Sequence, residues 1–252
     1  MHKTKRIFRG FLGGIIAAWL VTLLPVDALA QSLSLDLGKA TSGSAAGRMV
    51  QLVALLTVLS LAPSFLVMVT SFIRVVVVLS FLRSALGLQQ TPPNQVIISL
   101  ALFLTFFIMA PAFEQAYEEG VQPLINDEIT EQQAFENAAA PFHAFMMKHV
   151  RDKDLQLFVD MSENLTIEKP EETPFRVLIP AFMIGELKRA FEIGFLLFVP
   201  FVIIDMLVAS ILMAMGMMML PPVMISLPFK IIFFVLVDGW YMVCGSLIKS
   251  FH

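Results

Sequence analysis

The chain has 252 residues, of which 58% are hydrophobic and 15% charged, against roughly 45–50% apolar and ~25% charged in an average soluble domain. That composition excludes an ordinary water-soluble globular protein and fits one α-helical membrane domain carrying an insert. The net charge of −3 excludes little by itself, because the charges are unevenly placed, but the single cysteine, Cys244, excludes an intrachain disulfide and a cysteine metal cluster.

The N-terminus has the form of a secretory signal. Lys3, Lys5, Arg6 and Arg9 are followed by an apolar stretch, Phe11 to Leu24, and by the small-x-small triplet Ala28-Leu29-Ala30. Cleavage is expected after Ala30, leaving Gln31 first, with residues 31–48 as a flexible exported tail rich in Ser, Gly and Ala. Residues 49–113 are expected to form a first apolar helical hairpin. Val50 to Phe72 is its first span, kinked at Pro63, and Val96 to Phe113 its second. The turn between them contains Gly87, Thr91, Pro92 and Pro93. Arg74 and Arg83 with no acid between them fit a cytoplasmic side for that turn.

Residues 114–176 differ sharply. They hold fourteen acidic and five basic residues and are expected to be a helical insert on the exported, periplasmic side. Thr130 and Gln133 fit a capping box for a helix running towards Val150, which Pro141 is expected to split. Asp152 is the candidate cap of a second helix. The acidic excess disfavours nucleic acid as a partner.

Residues 177–252 are expected to form a second apolar hairpin. Glu186, Lys188, Arg189 and Glu192 fall in its first part, where Glu186–Arg189 and Lys188–Glu192 have the spacing of helical ion pairs. Met206 to Phe229 carries no charge, yet Gly216-Met217-Met218-Met219-Leu220-Pro221-Pro222 breaks it near its middle. Paired prolines lack N–H groups and clash with the preceding turn, so two helices are expected to meet at a methionine-rich bend. Methionine is long, unbranched and polarisable, and it re-packs around irregular gaps. It also fills ordinary membrane cores. Asp205 and Lys230 flank the bend at similar distances, so an antiparallel hairpin brings them to similar depth. With Asp238 they are costly charges in or beside apolar helices. A proton relay, an ion pair between subunits and a plain structural salt bridge all remain open for them. Asp238-Gly239-Trp240 interrupts the last apolar run.

Catalytic and metal constellations are not found. There is no HExxH zinc motif, no G-x-S-x-G elbow and no Walker loop, and His143 and His149 are not at ligand spacing. No enzyme activity, cofactor or metal is expected. A proton-coupled secondary transporter would also use broken helices and midplane charges, but no internal repeat relates 50–113 to 181–250. A membrane scaffold without a pore is a further alternative.

Pro180-Ala181-Phe182-Met183-Ile184-Gly185-Glu186-Leu187-Lys188-Arg189-Ala190-Phe191-Glu192-Ile193-Gly194-Phe195 resembles one signature of the FliP family of flagellar and type III secretion proteins. Leu227-Pro228-Phe229-Lys230 with Phe234-Val235-Leu236-Val237-Asp238-Gly239-Trp240 resembles the other, and Pro92-Pro93-Asn94-Gln95 and Gly216 to Met219 match as well. Gly185 departs from the family, which is expected to hold a polar residue there. The resemblance implies an all-α membrane subunit in the bacterial cytoplasmic (inner) membrane, within the flagellar basal body. It implies about five copies assembled with FliQ- and FliR-type partner subunits into an export gate for unfolded flagellar proteins. It implies Met217, Met218 and Met219 as a gasket around the closed pore, and Glu186 and Lys230 at contacts between neighbouring subunits. It also implies that the hairpins need not stand as four simple spans.

Overall fold

The computed structural model describes residues 45–162, 172–217 and 219–251. The predicted signal segment with its Ala30–Gln31 junction, most of the predicted tail and Met218 lie outside them. Contacts divide the chain into a unit Met1–Val53, described only from Ala45 as the opening turns of a helix, and a unit Ala54–His252.

The described residues are all-helical and without strands. In order they form α1 (Ala45–Met68), α2 (Phe72–Ala85), α3 (Asn94–Ala116), a π-helical turn (Tyr117–Val121) and α4 (Gln122–Ile125). These are followed by α5 (Glu131–His149), α6 (Asp152–Asp160), α7 (Phe175–Ala214), α8 (Pro222–Leu236) and α9 (Gly239–Lys249). The expected break at Pro141 is corrected, and other helices run through prolines as well. Pro141 does not split α5, α7 runs unbroken through Pro180 and Pro200, α3 contains Pro111, and α8 contains Pro228. A proline removes one helical hydrogen bond. In the apolar helices α3, α7 and α8, leaving the helix would orphan several backbone groups, so continuing is the cheaper option.

Among the described residues two helical stretches are long and apolar enough to cross a bilayer, Asn94–Ile125 with 32 residues and α7 with 40. A third exists only if α8 and α9 are taken together across a 62° bend. Apolar runs alone predict four simple spans; the first of them, Val50 to Phe72, falls on α1 and the opening of α2, which part at residues 69–71. The apolar residues of α2 are buried against protein. Val75, Val78, Leu79, Leu82 and Ala85 form the heart of the main core, with Ile97, Ala101 and Ile108 of α3 and Ala190 and Phe201 of α7. Burying each valine, leucine or isoleucine among them stabilises by about 1.5–3 kcal/mol. Close approach of α2 and α7 needs Gly194, where a Cβ would lie 2.6 Å from the Phe81 ring.

The insert packs onto this frame at the start of α7. Thr130 forms the capping box, its hydroxyl accepting from the Gln133 N–H while the Gln133 side chain accepts from the Thr130 N–H at 3.1 Å. Met146 of α5 packs with Leu178 and Phe182 of α7 in a second core. Asp152 is not the cap of α6. Arg151 holds that position without a side-chain bond, and its guanidinium instead grips Asp154 at 2.6 and 2.8 Å. Gly185 gives α6 room, since a Cβ there would meet the Asp154 carboxylate at 3.3 Å.

Candidate functional site

The two arms α7 and α8 meet at the methionine-rich tip. The turn is set by Gly216 rather than by the prolines. Gly216 adopts φ +74°, a left-handed conformation that glycine takes without steric cost. Its N–H donates to Met213 O at 3.0 Å and the Met217 N–H donates to Leu212 O at 2.9 Å, closing the end of α7. Pro222 then starts α8 at a position where its missing N–H costs nothing. Met219 is 98% exposed and Met217 36%, and Met213, Met215 and Met224 are exposed as well. Met218 is outside the described residues.

Below the tip the arms are tied together by charge. Asp205 of α7 and Lys230 of α8 meet at 2.6 Å, with side-chain exposures of 29% and 4%. The other oxygen of Asp205 accepts from the Ser226 hydroxyl at 2.5 Å. Lys230 also donates to the Ala85 carbonyl at 3.3 Å. Ala85 is the last residue of α2, where carbonyls lack intrahelical partners and the helix dipole favours a cation. The burial cost of the lysine is therefore met from two sides.

A second charge cluster closes the opposite end of the core. Arg74 of α2 grips Glu186 of α7 through two bonds of 2.7 and 2.5 Å, with both side chains only 1% exposed. A third nitrogen donates to the Ser250 carbonyl and hydroxyl at 3.0 and 2.9 Å. The Phe251 ring lies 3.7 Å from the guanidinium carbon, a cation–π contact. Two expectations change here. Glu186 pairs with Arg74 and not along its helix with Arg189, and Arg74 is no marker of the cytoplasmic turn, because its charge is spent inside the fold. Lys188 and Glu192 do pair, at 3.2 Å on the surface. Sequence reasoning missed Arg74 as a partner because 112 residues separate it from Glu186. A base and an acid each embedded in an apolar run were the available signal.

His149 links the insert to this cluster. Its Nδ1 lies 2.8 Å from the Phe145 carbonyl and its Nε2 3.3 Å from the Phe251 carbonyl. Burial pushes the imidazole pKa below its ordinary 6.5, opposed by those carbonyls and by Glu186 and reinforced by Arg74. Asp238 sits apart from both clusters. It is exposed at the break between α8 and α9, in a left-handed conformation with φ +51° and no side-chain cap bond. Among the described residues no group of three His, Cys, Asp or Glu side chains is placed to hold a metal. What the arrangement offers is mechanical: an apolar hairpin held at two depths by buried charge, with a bare methionine tip.

The FliP family model matches residues 55–247. The chain is 55% identical over 251 residues to the flagellar biosynthetic protein FliP of Caulobacter vibrioides, covering 99% of this chain and 94% of that protein. It is 55% identical over 202 residues to the protein of the same name from Bacillus subtilis, covering 80% and 91%. Similarity to the Aquifex aeolicus protein of that name is 52% over 205 residues, covering 81% and 86%.

Proposed function

The chain belongs to the FliP family, and from that premise we propose that this flagellar biosynthesis protein of the membrane is a pore-forming subunit of the flagellar protein-export gate. Several copies, five on the family pattern, assemble with FliQ- and FliR-type subunits in the cytoplasmic membrane within the basal body. Unfolded flagellar proteins pass through the centre. The subunit reaches the membrane with a signal segment cleaved between Ala30 and Gln31. Residues 114–176 lie on the exported side, between the apolar hairpins 49–113 and 177–252.

The observation that carries this reading is the tip. Met217 and Met219 project from a hairpin whose arms are joined by the Asp205–Lys230 ion pair. A gate for unfolded chains must yield to many sequences and still hold ions back when idle. Methionines 217–219 from several copies meet that need, because they close by packing and part without breaking specific hydrogen bonds. Glu186 and Lys230 serve neighbouring copies indirectly, by holding the surface each hairpin presents to them. Asp238, exposed and without a side-chain cap bond at the start of α9, belongs to a face that other subunits cover. The role is not enzymatic and uses no cofactor.

Replacing Met217, Met218 and Met219 together by alanine is the test. The complex is expected to assemble at its normal level while ion leakage through the idle gate rises. Unchanged conductance in a fully assembled mutant would remove the seal.

A further inference from the structure

The contacts just below the tip assign a role to a residue that neither spacing nor charge singled out. Ser226 stands one turn into α8, fully buried, four residues before Lys230 on the same helical face. Its hydroxyl has one proton and two acceptors within reach, Asp205 Oδ1 at 2.5 Å and the Val223 carbonyl at 3.1 Å. The carboxylate is the stronger acceptor and the shorter contact, and a charge-assisted bond is the stronger of the two.

We propose that Ser226 is a positioning residue for the methionine tip, acting through Asp205. The carboxylate is held as a two-pronged bracket. Ser226 fixes Oδ1, so Oδ2 must face the Lys230 ammonium at 2.6 Å. Lys230 in turn donates to Ala85 O at the end of α2, where Gly87 turns the chain away with φ +77° and leaves that carbonyl accessible. A Cβ built on Gly87 would come within 4.0 Å of Lys230 Nζ, so the turn also bounds the ammonium from the far side. Three elements thus meet at one point: the end of α2, the last quarter of α7 and the first turns of α8. Among the described residues the Ser226–Asp205 bond is the side-chain hydrogen bond between the two arms nearest the tip. From there α7 runs on to Ala214 without another such bond to α8. Without the serine, Asp205 is free to rotate about its side-chain torsions, the lysine can shift along the carboxylate, and the arms can slide past each other. The ring contacts between the arms, Phe201 against Phe233 and Phe234, lie farther from the tip than this bracket and do not fix the register beyond it.

This inference rests on the reading of the tip as a pore element, but its test does not use conductance. In the assembled gate, with Cys244 replaced by serine, spin labels are placed at Leu220→Cys beside the tip and Gln90→Cys on the α2–α3 turn, and labelled copies are diluted with unlabelled ones. The parent is expected to give one narrow distance. Ser226→Ala is expected to lose that narrow distribution at unchanged assembly, while Ser226→Thr, which keeps the hydroxyl, retains it. Ser226→Val, which has the shape of threonine without the hydroxyl, is expected to behave like Ser226→Ala and stands in for it should the alanine variant assemble poorly. A distribution as narrow in Ser226→Ala as in the parent overturns the proposal. So does a threonine variant as broad as the alanine one, which would make the effect one of packing. A broadened tip with unchanged leakage would keep the positioning role and count against the seal. A tip unmoved by Ser226→Ala, in a gate that leaks after methionine replacement, would do the reverse.

Discussion

The two halves of α7 are built on different terms. The first half is wrapped by its own chain: Val177, Leu178, Ala181, Phe182, Gly185, Glu186, Ala190 and Gly194 are buried, and α2, α5 and α6 cover them. In the second half only Phe201 and Leu212 are buried, and Val202, Ile203, Met206, Leu207, Ile211 and Met213 are bare. The ion pairs follow the same division. Arg74–Glu186 is sealed under Phe251, whereas Asp205 in the Asp205–Lys230 pair remains 29% exposed. One end of the helix therefore belongs to a core the chain completes alone. The other has an apolar surface that only a membrane or other subunits can cover.

The largest expected effect tests that division directly. Glu186→Gln or Arg74→Ala leaves one buried charge without its partner, which costs about 3–5 kcal/mol. The detergent-solubilised chain should lose most of its thermal stability. Lys230→Ala removes a partner from a carboxylate that water already reaches, and should cost about 1–3 kcal/mol. Replacing Arg74 and Glu186 together by apolar residues of similar volume should cost less than either single change. Equal losses for Glu186→Gln and Lys230→Ala would abolish the distinction between a sealed and an open end.

Acidification should act on the sealed end through His149. The His149 pKa is depressed in the fold relative to 6.5, so below that value the unfolded chain binds the extra proton more readily than the native one. Stability falls where the unfolded state takes up more protons. His149 therefore contributes its full stability above about pH 6.5 and loses it as pH drops through that value towards the folded-state pKa. The groups facing it are Arg74 and Glu186, with the Phe145 and Phe251 carbonyls. A neutral ring has one N–H and donates to only one of those carbonyls. Melting the solubilised protein at about pH 7.5 and 5.5, on either side of the ordinary histidine pKa, should give a lower Tm at the acid end. His149→Gln should flatten that difference, and an unaltered difference in the variant would assign it to other groups.

The open end was far more legible in the sequence than the sealed one. An uncharged run, a glycine before paired prolines and an acid and a base at similar distances from the bend are local patterns, and they located the hairpin and the meeting of Asp205 with Lys230. Thr130 and Gln133 announced their capping box for the same reason. The sealed end depends on contacts distant along the chain. Nothing near Arg74 points to Glu186, Ser250 or Phe251, and the valine run of α2 reads alike whether lipid or protein buries it. Prolines misled because their usual meaning as breakers assumes that water will accept the freed backbone groups. Ser226 went unnoticed because an uncharged serine in an apolar helix carries no signal until its acceptor is placed.

The smallest expected effect lies on the same helix, two residues from the largest. Lys188 and Glu192 form an i,i+4 pair at 3.2 Å, with exposures of 47% and 57%. Exposed pairs contribute about 0–1 kcal/mol, and helical pairs of this spacing ~0.3–0.5. The order also matters, because lysine ahead of glutamate is the weaker arrangement. Lys188→Ala should therefore shift the stability of the isolated chain by no more than about 0.5 kcal/mol and should lose even that at high salt. Measured against Glu186→Gln in the same detergent, the contrast is dominated by burial, since both residues lie within a turn of each other on one helix. Repeating the pair of measurements on the assembled gate extends the comparison. If Lys188→Ala stays silent there, this face of α7 remains in water after assembly. If its cost rises towards that of Glu186→Gln, a neighbour has closed over the pair and desolvated it. The boundary between what the chain buries alone and what assembly buries would then pass through the helix surface between residues 186 and 188.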